Sequence, residues 1–222
     1  MGYETVFTGQ IAIVPPLNPR EVEYLDRFAE TRHESRDAGP YAVNGNGLAP
    51  GAMYGGNQPG PEHPGFWCKW VPTAAGDALI WNGEEKFYHA EKWLAYLVET
   101  FLAPGAEIRG DLPVAWFRPA VFEHFTCDHL LNGVVEAEGA EEDDRWRIEV
   151  RDNVVYVVRL VEWPDHSDID PRSPGEWGSG QWDEYAARAR RNHVYTISGA
   201  GEIHECGPAV EHGFAPVDDR AA

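Results

Sequence analysis

The sequence predicts an α+β fold: a ferredoxin-like split βαβ sandwich with additional antiparallel strands and a C-terminal appendage. The order of apolar periodicities reads strand, helix, strand, strand, helix, strands, which is that of a split βαβ unit with extra strands. Two segments carry helical amphipathicity, so the helices have one face to bury against a sheet. From Glu162 to Gly180 the composition shifts to Pro, Gly, Asp and Trp, which sets a core domain of residues 1–161 against an appendage of residues 162–222.

The elements follow in chain order. Tyr3, Thr5, Phe7, Gly9, Ile11 and Ile13 alternate with neighbours of other character, the period of a strand with one buried face. Asn18, Pro19 and Glu21 then spell an N-cap, a first-turn proline and a capping box, followed by an inner stripe of Val22, Leu25, Phe28 and Ala29. Ala38 to Pro64 is crowded with Gly, Pro and Asn and reads as a long loop, a class that is usually functional or mobile. Phe66 to Val71 and Ala78 to Trp81 form a hairpin around Ala74 to Asp77. Ala90, Trp93, Leu94, Leu97, Val98 and Phe101 recur at helical spacing, and Pro104 stops that helix. Leu131 to Ala137, Trp146 to Val150 and Val154 to Leu160 are three strands, the last two joined by Asp152 and Asn153, which tolerate turn geometry. A short helix over Asp183 to Asn192 and a hairpin of His193 to Ser198 with Glu202 to Cys206 close the chain.

The formal charge of -19, from 37 acids against 18 bases, sets a negative field that repels phosphate backbones and anionic lipid. Nucleic-acid and membrane partners are therefore not expected, and a protein partner with a basic or apolar groove is. Three widely spaced cysteines make no disulfide framework, and no apolar run approaches the roughly 20 residues of a spanning helix. A cytoplasmic protein is the expectation. Phosphate-binding, dinucleotide, nucleophile-elbow and zincin motifs do not occur in the sequence.

The densest reactive chemistry lies in Phe122 to Asn132. His124, Asp128 and His129 can be read as acid/base groups acting on a small polar molecule, His124 and Asp128 pairing at i and i+4 if the segment is helical. Cys127 is the candidate nucleophile or ligand. On a strand, Cys127 and His129 would share a face, and His204 and Cys206 repeat that spacing, so these four are a candidate zinc set. The expectation is that no cofactor is held and these side chains fill the core, with a zinc ion as the alternative. Of nine tryptophans, Trp163, Trp177 and Trp182 fall in the appendage, where aromatics suggest a contact surface.

Trp81 to Tyr88, Phe125 to Gly133, Asp143 to Trp146 and the opening Met1-Gly2-Tyr3 with Phe7-Thr8-Gly9 together resemble an uncharacterised family of actinobacterial and actinophage proteins, over roughly residues 1–160. The resemblance implies a shared fold and origin and carries over no catalytic residue.

Overall fold

The computed structural model describes residues 4–36, 39–43, 47–48, 58–111, 118–140, 144–160, 192–208 and 212–215. They form a mixed α+β architecture dominated by one antiparallel sheet with two helices. The strands are β1 (Thr5–Val14), β2 (Thr31–Arg32), β3 (Gly47–Leu48), β4 (Trp70–Pro72), β5 (Ala78–Trp81), β6 (Leu130–Gly139), β7 (Arg145–Arg151), β8 (Val154–Leu160), β9 (Asn192–Ile197) and β10 (Ile203–Pro208); the helices are α1 (Pro19–Glu30) and α2 (Ala90–Leu97). Eight strands make the main sheet in the order β10-β9-β8-β7-β6-β1-β5-β4, while β2 and β3 pair separately.

The first helix starts where its capping chemistry dictates. The Asn18 side chain accepts from the Arg20 and Glu21 backbone N–H groups, and Glu21 reaches back to the Asn18 N–H at 2.7 Å. Of its buried residues, Tyr24, Leu25 and Phe28 lie in the same core as Phe7, Ile11 and Ile13 of β1 and Leu131 and Val135 of β6. The second helix buries Trp93, Leu94 and Leu97 in that core, and the predicted run continues past Leu97 as a π-helical turn, Val98–Leu102. A 3.6-residue period cannot distinguish that wider turn from its α-helical continuation.

Asp152 and Asn153 both adopt positive φ (48° and 69°) and turn β7 into β8, as their tolerance of left-handed backbone allows. The terminal hairpin, expected in the appendage, is part of the main sheet, since β9 pairs antiparallel with β8. Asn192, placed at the end of an expected helix, opens β9 instead, and residues 183–191 lie outside the described residues. On the sheet's other face, Phe214 packs with Val158 and Val194 as a small second core, and Arg151 stacks on Phe214 at 3.6 Å while bonding the Gly213 carbonyl. No helix among the described residues is long and apolar enough to cross a membrane.

Candidate functional site

The histidine-rich segment divides into an outward and an inward half. A 3-10 turn, Ala120–His124, ends at His124, and Phe125 is already extended. The helix that would pair His124 with Asp128 therefore does not form, and both side chains are exposed. Nor does a strand align Cys127 with His129, because Cys127 takes φ 47° and β6 begins only at Leu130. The left-handed residue turns the chain between them, and each side chain finds its own partner.

The Cys127 thiol donates to the Phe101 carbonyl at 3.3 Å. Burial pushes this thiol up; Arg109 pulls it back only in part, so the nucleophilic thiolate is disfavoured. His129 is 1% exposed at the side chain and Glu21 0%, and they meet at 3.3 Å, Nε2 to Oε1. The other ring nitrogen donates to the Pro15 carbonyl at 2.7 Å, and Thr126 gives both its backbone N–H (2.7 Å) and its hydroxyl (3.2 Å) to Glu21 Oε1. For His129 burial is the largest influence and acts downward, yet the Glu21 hydrogen bond, the Pro15 carbonyl and the Glu21 and Asp128 charges together raise it. For Glu21 burial likewise acts upward, but His129, Thr126 and Asn18 bring the carboxyl below its ordinary range. The His129–Glu21 pair ties together three parts of the chain: the start of α1, the end of β1 and the approach to β6.

The proposed zinc quartet is not assembled. His204 and Cys206 stand on β10, separated from β6 by three strands, about 19 Å at ordinary strand spacing. Among the described residues no group of three or more His, Cys, Asp or Glu side chains is placed to hold a metal ion. Trp163, Trp177 and Trp182 lie outside the described residues.

A concavity of about 980 Å³ lies elsewhere, between α1, the β4–β5 hairpin and the approach to α2. Trp67 and Tyr88 line it with 38% and 56% of their surface exposed. Asp26 and Glu30 flank them from one face of α1, and Glu84 and Glu85 from the segment after β5. Burial, then the neighbouring Glu30 charge, raise the Asp26 carboxyl. Lys69 is buried beneath, engaged by the Glu85 carbonyl and by the Glu84 carboxylate at 3.7 Å. The cleft thus offers flat aromatic faces among carboxylates, of which Glu84 already meets Lys69, and Lys86 is the second lysine of the lining. None of His124, Cys127, Asp128 and His129 lines it.

Trp67 falls within the strand expected over Phe66 to Val71, where an aromatic reads as core, and nothing local marks Tyr88 as part of a cleft. The signal available is the Glu84-Glu85 pair: two acids ahead of a helix read as its initiation through the macrodipole, but α2 starts at Ala90, too far on for that service. No family model, no curated protein and no solved structure matches this chain.

Proposed function

We propose that this protein works by binding, and that a basic segment of a protein partner lies in the cleft between α1 and the β5–α2 connection. The observation that carries the reading is the pairing of exposed Trp67 and Tyr88 with Asp26, Glu30, Glu84 and Glu85 around one concavity. Arginine or lysine side chains stack on aromatic faces and pair with carboxylates, so both halves of the lining favour the same occupant. Asp26 and Glu30 are a like-charge i,i+4 pair, an arrangement that costs a free helix a few tenths of a kcal/mol and that a bound cation relieves. The overall charge of -19 adds long-range steering of such a partner. Trp163, Trp177 and Trp182, outside the described residues, belong to the same docking reading as candidate contact aromatics.

The finer fold reading supports this division of labour. We read β4, β5, β1 and β6 with α1 and α2 as a ferredoxin-like split βαβ scaffold; the antiparallel order β6-β1-β5-β4, with one helix between β1 and β4 and the other between β5 and β6, supports it.

Fluorescence-anisotropy titration of the full chain with a labelled arginine-rich peptide tests the binding reading. Saturable binding should weaken about tenfold on Trp67→Ala or on Asp26→Asn with Glu30→Gln, and further in high salt. Binding that is indifferent to these substitutions and to salt would remove the cleft as the docking site.

A further inference from the structure

Residues 59–67 pack against α1 and α2 through His63, and little backbone holds them there. The His33 N–H donates to the Phe66 carbonyl at 2.8 Å, the Gly60 N–H donates to the His33 carbonyl at 3.2 Å, and an isolated bridge pairs Glu34 with Pro59. Arg32 adds its guanidinium over the Phe66 ring at 4.1 Å. Because β4 begins only at Trp70, none of these bonds belongs to the main sheet. A segment tied by so few bonds can open by itself, at a lower cost than unfolding the sheet.

The fastening is a pair of histidine rings. His33 (0% exposed) and His63 (7%) stand with centroids 4.5 Å apart. Phe28 of α1 lies 4.2 Å from His33, while Trp93 and Tyr96 of α2 lie 5.0 Å from His33 and 5.6 Å from His63. Gly60 lets the chain pass this close, since a Cβ there would meet His63 Nδ1 at 3.0 Å and the Glu34 carbonyl oxygen at 3.3 Å. The Phe28 carbonyl, 3.0 Å from His33 Nε2, can only accept, which fixes the His33 proton on Nε2. His33 Nδ1 and both His63 nitrogens have no hydrogen-bond partner among the described residues. A second proton on either ring is therefore a buried charge with nothing to bond.

The charges around the pair act in the same direction. Arg36, itself buried and bonded to the Glu34 and Ala42 carbonyls, opposes a proton on both rings. Glu34 is paired with Arg32, and Asp26 and Glu30 of α1 line the cleft. Tyr24 of α1 and Tyr96 of α2 are phenols that burial keeps neutral. Glu62, Glu99 and Glu107 line the same hollow as His63, but the charge that governs its ring is that of Arg36. Burial, then the His63 and Arg36 charges, hold His33 well below 6.5. Burial, then Arg36, push His63 down to about 3, and the Phe28 and Pro40 carbonyls reverse neither shift.

We propose that the His33–His63 pair is an acid-released latch on the cleft: proton uptake by the two rings frees residues 59–67 while the main sheet stays folded. Pro59, Pro64, Phe66 and Trp67 line the cleft, so release takes down the wall that carries its exposed tryptophan. A ring that titrates near 6.5 only when released multiplies the opening constant by roughly 25 between pH 7 and pH 5, and two such rings by roughly 600. The effect on a ligand rests on the binding reading of the cleft, whereas the latch itself does not.

Amide hydrogen exchange of the full chain, followed by NMR at pH 7 and pH 5 and corrected for the intrinsic rate, decides this. The His33 and Gly60 amides should be less protected than the β1–β6 ladder at both pH values, and their protection should fall by roughly 600-fold between them. In His63→Gln the fall should shrink to roughly 25-fold. A labelled arginine-rich peptide at about ten times its Kd should raise the protection of both amides about tenfold, because only the closed segment completes the cleft. The latch is overturned if these amides are as protected as the ladder, if their protection changes by less than about fivefold with pH, or if His63→Gln leaves the change intact. Peptide binding without added protection overturns the link between latch and cleft. Absence of binding removes the cleft reading instead, and the exchange results alone then decide the latch.

Discussion

Replacing Glu21 by alanine should be among the most damaging single changes in this chain. The substitution removes the acceptor of four hydrogen bonds, from Asn18 N (2.7 Å), Thr126 N (2.7 Å), Thr126 Oγ1 (3.2 Å) and His129 Nε2 (3.3 Å). Breaking a buried ion pair by deleting one partner costs about 3–5 kcal/mol, since the survivor is left charged and uncompensated. The capping-box loss of about 1 kcal/mol overlaps that figure, because both act through the same carboxylate. Thr126 beside the pair is exposed, so water lies one layer away and the lower half of the range applies. With an m value of about 2 kcal/mol/M, the urea midpoint at neutral pH should fall by roughly 1.5–2 M, and Glu21→Gln should fall between it and the parent.

The pH dependence has a fixed sign. His129 is raised above its ordinary 6.5, so its contribution is complete below that value and is lost as pH rises through the higher folded value. Glu21 is lowered from 4.5, so its contribution is present above that value and is lost as pH falls through the folded value. Both are in place between 4.5 and 6.5, and Glu21→Gln should flatten the loss of stability above 6.5. A Glu21→Ala protein that unfolds within about 1 kcal/mol of the parent would refute the reasoning.

Three other substitutions test different parts of the structure. His63 is held neutral down to about 3 whereas the unfolded chain takes up its proton near 6.5, so acidification through that window should cost about 1.4 kcal/mol per pH unit. In urea unfolding between about pH 6 and pH 4, His63→Gln should make the slope shallower by that amount, and an unchanged slope contradicts a buried neutral ring. Gly9 has φ +125° and a Cβ there would sit 2.4 Å from the Val134 carbonyl oxygen, whereas Gly83, at φ +82°, has nothing within 4 Å. Gly9→Ala should therefore lower Tm by roughly 4–8 °C and Gly83→Ala by markedly less; equal losses would mean that the β1–β6 contact yields.

The parts of the fold that were legible are those written in consecutive residues. Asn18, Pro19 and Glu21 announce α1 within four positions, and Asp152 with Asn153 announces the β7–β8 turn, because capping and left-handed turns are local chemistry. Long-range tasks left no such trace. Glu21 reads as a cap, and its second duty to Thr126 and His129 depends on partners 105 and 108 positions away. Cys127 reads as sharing a strand face with His129, two positions on, and no local residue pattern signals its positive φ or its thiol's bond to the Phe101 carbonyl. His63 was hidden in the Gly- and Pro-rich loop, whose final residues turn toward His33 and α2, with ring centroids 4.5 Å from His33 and 5.6 Å from Tyr96, and away from the 124–129 segment. Composition could mark that loop as one to watch but could not say which helix it would meet.

The position of β1 in the middle of the sheet also governs the order in which the molecule can be assembled. One neighbour of β1, β5, arrives by Trp81, but the full-length ladder on its other edge joins Val14 to Leu130 and Thr5 to Gly139. A chain emerging from the ribosome thus carries β1 with a bare edge until Leu130 to Gly139 have been made. Such delayed, sequence-distant pairing is slow and invites adventitious strand addition in the interval. Nascent-chain protection on this edge is where a folding catalyst or holdase would act on this protein.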